Sequence, residues 1–138
     1  MAQITMSITY IAQRPYPMES LLPINDQLNK KDLFEAFKLQ LAKDFVQSNF
    51  EAGFVQALEP AYASIHEKIM VELQRNEKRA DSNLMQLLYR VDISEAQLKK
   101  YLNEANNENH LGTIAELIIK RVLQKVVIKQ YYKLNENG

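Results

Sequence analysis

His66 and His110 are the only two histidines in the chain, and their neighbours decide what chemistry they offer. A carboxylate-bridged metal bundle takes a Glu-x-x-His pair on facing helices, but the residue three before His66 is Ala63. A zincin helix takes His-Glu-x-x-His, so that both imidazoles share one helix face. His66-Glu67 begins that pattern, and Met70 stands where the second histidine belongs. His66 therefore reads as an ordinary helix-face residue. His110, set among Asn106, Asn107, Glu108 and Asn109, reads as an exposed loop histidine. Cysteine is absent, which removes disulfides, thiolate nucleophiles and Cys-ligated zinc together. With Gly53 and Gly112 the only internal glycines, there is no Gly-x-Ser-x-Gly elbow and no glycine-rich phosphate loop. Carboxylates are plentiful, but paired acid and base roles need burial and mutual spacing that a fold must supply. These residue types point away from catalysis, and no metal or cofactor is expected.

Cations form the next pattern. Arg121, Lys125, Lys129 and Lys133 recur at every fourth position near the C-terminus. On a helix this spacing makes one slowly drifting basic row that suits phosphates, RNA or an acidic partner. The same lysines also complement the negative end of a helix dipole and solubilise an apolar helix. Tyr131 and Tyr132 add stacking surface beside the row. The whole chain holds 17 basic and 17 acidic residues, so its surface as a whole is not that of a polyanion binder. The balance is uneven: residues 113–138 carry a net +3 and residues 81–112 a net −2.

A second nucleic-acid signal lies in LMQLLYRVDISEAQLKKYLNE, residues 84–104. Leu87, Val91, Ile93, Leu98 and Tyr101 fall where a helix-turn-helix wants its internal packing residues, and the stretch resembles that motif. Ser94 followed by Gln97 has the capping-box spacing, and Ile93 with Leu98 has that of a hydrophobic staple. Two helices meeting across a tight turn are therefore expected here. Against DNA binding, Asp92 stands where the turn prefers Gly, and Leu88 where a small residue normally lets the helices approach. The second helix offers Lys99 and Lys100 but also Glu95 and Glu104, a poor balance for phosphate contact.

The elements that must carry these residues read as helices. Three glycines in 138 residues are too few for the turns of a sheet protein. Thr113 to Leu134 spans about six helical turns, with Thr113 and Glu116 at capping-box spacing. Stepping about 100° per residue places Ala115, Ile118, Ile119, Val122 and Val126 on one core-facing arc. Lys129 and Lys133 fall on the same arc, so it reaches solvent in the last turns. Leu117, Leu123, Val127, Ile128 and Tyr131 lie outside it, so the helix is covered on several sides by its own chain, or partly by a partner. Leu123, Val127 and Tyr131 are the residues whose burial separates the two cases.

Upstream, Phe34, Phe37, Leu41 and Phe45, with Leu33 beside them, give residues 31–48 an aromatic core face, with Lys31, Lys38, Lys43 and Asp44 on the wetter side. Ser48 and Asn49 offer a cap for a short segment around Gly53. Pro60 suits the first turn of a helix that buries Tyr62, Ile65, Ile69, Met70 and Leu73. Residues 75–83 read as an exposed polar loop, and residues 103–112 as the loop before the last helix. In residues 1–30, Ile4, Met6, Ile8 and Tyr10 alternate with polar residues ahead of Pro15, Pro17 and Pro23, the pattern of a short strand or extended arm. Met18 offers a second start within this leader. The N-terminus has no early cation and no unbroken apolar core, so a secretory signal is not expected, and no run is long enough to span a membrane.

The expected architecture is all-α: an irregular bundle of about five helices over residues 31–138, with a long C-terminal helix and an N-terminal arm or leader over 1–30. The expected function is a non-catalytic, cytoplasmic protein-interaction module that self-associates through Leu123, Val127 and Tyr131 or packs on another protein. The alternative is nucleic-acid binding through residues 84–103, with Lys99 and Lys100, or through the row Arg121, Lys125, Lys129 and Lys133.

Overall fold

The computed structural model of the protein describes residues 23–79, 83–104 and 110–137. Among them the chain forms α1 (Ile24–Leu28), α2 (Lys31–Gln47), a 3₁₀ turn (Gly53–Ala57), α3 (Tyr62–Glu77), α4 (Leu84–Arg90), α5 (Glu95–Glu104) and α6 (His110–Asn137), with no strand among the described residues. The fold is all-α, a helical bundle, as the scarcity of glycine implies. The alternating stretch from Ile4 to Tyr10, Pro15, Pro17 and Met18 lie outside the described residues. Within the N-terminal stretch, Ile24–Leu28 is helical and Leu28 is fully buried, so the bundle includes residues upstream of Lys31.

α6 is the axis of the molecule. Its 28 residues extend about 42 Å. Ala115, Ile118, Ile119 and Val122 are fully enclosed, and Ile114, Leu117, Leu123, Val126 and Val127 are also buried. These positions cover most of the circumference, because α2 and α3 both pack along α6 and α5 closes on it as well. Both α2 and α3 run antiparallel to α6. Lys125 meets Asp44 and Lys129 meets Gln40, while His66 meets Gly112 and the Glu116 carboxylate acts on Tyr62. α2 and α3 are thus parallel to each other, and the segment from Ser48 to Ala61 returns the chain between them.

The ends of the helices show how the sequence sets the path. Asn49, read as the cap of a following segment, instead terminates α2 with φ 62°. Phe50 N–H donates to Phe45 C=O at 2.9 Å and Asn49 N–H to Val46 C=O at 3.1 Å, the paired bonds of a left-handed C-cap. The apolar contact that accompanies such a cap is present too: the Phe45 and Phe50 rings meet edge-on at 5.3 Å. α3 begins at Tyr62, two residues beyond Pro60 rather than on it. Its first-turn donor is satisfied from a distance, Tyr62 N–H giving to Asn25 Oδ1 at 2.9 Å. α3 continues through Glu77, so the polar stretch from Arg75 starts as helix, and Asn76 is buried. α6 begins at His110, so Thr113 lies inside its first turn and is not its cap.

Candidate functional site

The α4–α5 corner forms as its residues imply. Asp92 takes φ 69°, the left-handed position where Gly is commonest. Ile93 N–H donates to Leu88 C=O at 2.9 Å and Asp92 N–H to Tyr89 C=O at 3.1 Å, a second C-cap of the kind that ends α2. Ser94 Oγ then accepts from Gln97 N–H at 3.1 Å and opens α5. Leu87, Leu88, Val91 and Ile93 are buried, and Leu98 packs on the same core. The Tyr101 side chain lies outside the described part. Leu88, unusual for a helix-turn-helix, is enclosed between α4 and the bundle. Lys99 and Lys100 are exposed on α5, where Glu95, Ala96 and Gln97 are exposed as well.

The basic row of α6 is turned largely toward its own chain. Arg121 hydrogen-bonds Gln124 and approaches Asp92 at 3.7 Å, and its Nε is enclosed. Lys125 Nζ reaches Asp44 Oδ2 at 3.4 Å and donates to Arg90 C=O at 3.2 Å. Lys129 Nζ donates to Gln40 Oε1 at 3.0 Å, and Gln40 Nε2 donates to Asp44 Oδ1 at 3.1 Å. Lys129, Gln40, Asp44 and Lys125 thus form one polar ladder between α6 and α2, anchored to the end of α4 at Arg90. Asp44 is buried, not on the wet side of α2. It follows Phe37 by seven residues and Leu41 by three, which puts it on the apolar stripe; that spacing was the available signal. Lys133, the last cation of the row, is exposed.

Leu123 and Val127 are 3% and 7% exposed in the single chain. They belong to the core, because α6 is already enclosed at that height, and they present no strip for a partner. Tyr131 is half-buried against the edge of the Tyr132 ring, 5.4 Å away, and Tyr132 is half exposed.

Large apolar side chains are left exposed on several helices, among them Val71, Met85 and Tyr89, and the one that borders a groove lies on α2. Leu39 on α2 is 74% exposed and borders an open groove of about 200 Å³ lined by Ala36, Leu39, Gln40, Lys43, Val126, Lys129 and Gln130. The groove exists because Ala36 is too short to fill the space beside Val126, where α2 and α6 form a small core of their own with Leu33 and Val127. Val46, about two turns further along α2, is also exposed. The groove walls include two lysines and no carboxylate. Lys43 makes no ion pair among the described residues, and Lys129 is matched only by the neutral Gln40 amide.

His66 and Tyr62 occupy the opposite junction. His66 Nε2 lies 2.7 Å from Gly112 C=O, so the proton sits on Nε2 and the ring ties α3 to the first turn of α6. Tyr62 stacks on it at 5.6 Å, and Glu116 pairs with Lys120 at 2.7 Å. Burial first, and the Glu116 charge second, push the Tyr62 phenol well above its ordinary range. The tie between His66 and Gly112 carries no sequence signal, since the acceptor is a main-chain carbonyl 46 residues away. Among the described residues no cluster of His, Asp and Glu offers a metal-ligand set, and no helix is long and apolar enough to cross a membrane.

Comparison with protein-family models, curated proteins and solved structures gave no match.

Proposed function

We propose that the protein is a helical protein-interaction module whose docking face is the groove between α2 and the C-terminal half of α6. The observation that carries this reading is Leu39, a large apolar side chain left 74% exposed at the lip of that groove. Single exposed apolar residues need no explanation, but one bordering an apolar cleft supplies the anchor of a contact. At about 200 Å³, the cleft is smaller than the roughly 300–1,000 Å³ of small-molecule pockets. Its size suits an inserted side chain. The C-terminal helix keeps a role in association through Lys129 and Gln130, over a floor formed by the buried Val126, rather than through Leu123 and Val127.

The partner is a second copy of this chain or another protein, and two measurements together decide. Sedimentation equilibrium reports self-association directly. A photoactivatable residue at position 39, with one at exposed Glu67 on α3 as control, reports what covers the groove, and adduct mass separates a dimer from a foreign partner. The reading expects adducts from position 39 in excess of position 67. A monomer at high concentration that gives no adduct from position 39 would overturn it.

A further inference from the structure

We infer that the occupant of the α2–α6 groove is an acidic amphipathic helix of another protein. This inference rests on the docking reading above and adds the chemistry of the partner. The floor and lip are apolar, with Ala36, Leu39 and Val126, and the charged rim is cationic on both helices, Lys43 on α2 and Lys129 on α6. Two of the nearby carboxylates are already committed: Asp44 is buried against Lys125, and Glu35 pairs with Lys38 at 3.2 Å. The third, exposed Asp32, lies one turn before Ala36, at the opposite end of the groove from Lys43. Exposed Lys133 lies one turn beyond Lys129 and extends the positive rim. A helix that inserts an apolar side chain beside Leu39 therefore meets a rim of net positive charge, with Lys43 on one flank and Lys129 on the other. Carboxylates on its own flanks complete the arrangement. The same feature argues against a second copy bound face to face. A two-fold contact brings two copies of the same rim together, and in that rim Lys43, Lys129 and Lys133 outnumber the exposed Asp32, so it adds net like charge.

The test uses two synthetic helical peptides with identical leucines at i, i+3 and i+7, one flanked by glutamates and the other by lysines. Each is titrated by fluorescence anisotropy into the full chain. The glutamate peptide is expected to bind and the lysine peptide not. The double variant Lys43→Glu/Lys129→Glu is expected to weaken glutamate-peptide binding by about tenfold and to gain affinity for the lysine peptide. Ala36→Trp, which fills the cleft, is expected to block the glutamate peptide. Circular dichroism confirms that each variant is folded, and the charge reversal decides alone if Ala36→Trp is not. Equal binding of both peptides would overturn the acidic partner and leave the docking face standing. Binding of neither would also overturn it, and sedimentation then separates the two readings. A self-associating chain keeps the docking face, and a monomer loses both.

Discussion

At Asp44 a carboxylate lies inside the bundle with one ammonium, Lys125, and one amide, Gln40, as partners. Desolvating such a pair consumes most of its Coulomb attraction, but removing one member leaves a buried charge with too little compensation. Lys125→Met is therefore expected to destabilise the protein by about 3 kcal/mol, while Lys125→Met combined with Asp44→Leu recovers most of that loss. Urea denaturation with unchanged slope reads both values. A second residue-scale expectation concerns Tyr62. Its neutral phenol is favoured in the folded chain, by burial first and by Glu116 second. The folded pKa lies above the unfolded value of 10.0, so the contribution is intact below pH 10.0 and is lost as pH rises beyond it. Stability should fall as pH rises above that point, and Tyr62→Phe should flatten the fall. A Tyr62→Phe protein with the same alkaline profile as the parent would refute this assignment.

On the scale of helices, α2 and α6 exchange the roles their patterns suggest. Leu123 belongs to the side of α6 that lies off the main apolar arc, yet it is buried because three helices surround α6. Leu39 belongs to the outer side of the amphipathic α2 and stays in solvent. Leu123→Ala is accordingly expected to cost about 3 kcal/mol through lost burial and a residual cavity. Leu39→Ala should change stability by no more than about 0.5 kcal/mol while weakening association. Thermal or urea unfolding of the two variants, beside sedimentation of each, checks the contrast. The helix ends were legible in part. Ser94 caps α5 as its spacing to Gln97 implies, whereas Asn49 ends one helix instead of starting the next. Asn is a good residue for either task, as an N-cap acceptor or in the left-handed C-cap. The apolar Phe50 that follows, packed on Phe45, decides between them.

For the molecule as a whole, formal net charge is zero, and three of the four cations in the basic row of α6 bond to other side chains of this chain. Phosphate contact by Arg121 or Lys125 would have to break their bonds to Gln124 and Asp44, which leaves Lys129 and Lys133 as the cations of the row open to an anion. In a gel shift at low salt, the chain is expected to give no complex with duplex DNA or RNA. A complex that weakens steeply with added salt would show the row to be available after all.

The sequence by itself determined the helical class, the aromatic stripe of α2, the arc Ala115, Ile118, Ile119, Val122 and Val126 of α6, and the turn at Asp92 to Ser94. Each is set by residues within a few positions of one another, through periodicity, capping and backbone conformation. Tertiary structure alone decided that Leu123 and Val127 are core, that Asp44 and Lys125 are partners, and that a cleft opens beside Ala36. Those outcomes depend on which helices meet and at what register. The Asp44–Lys125 pair is 81 residues apart, and no local spacing encodes it. The open groove between α2 and α6 arises in the same way, from a small residue on one helix facing a gap that only its packing against the other creates.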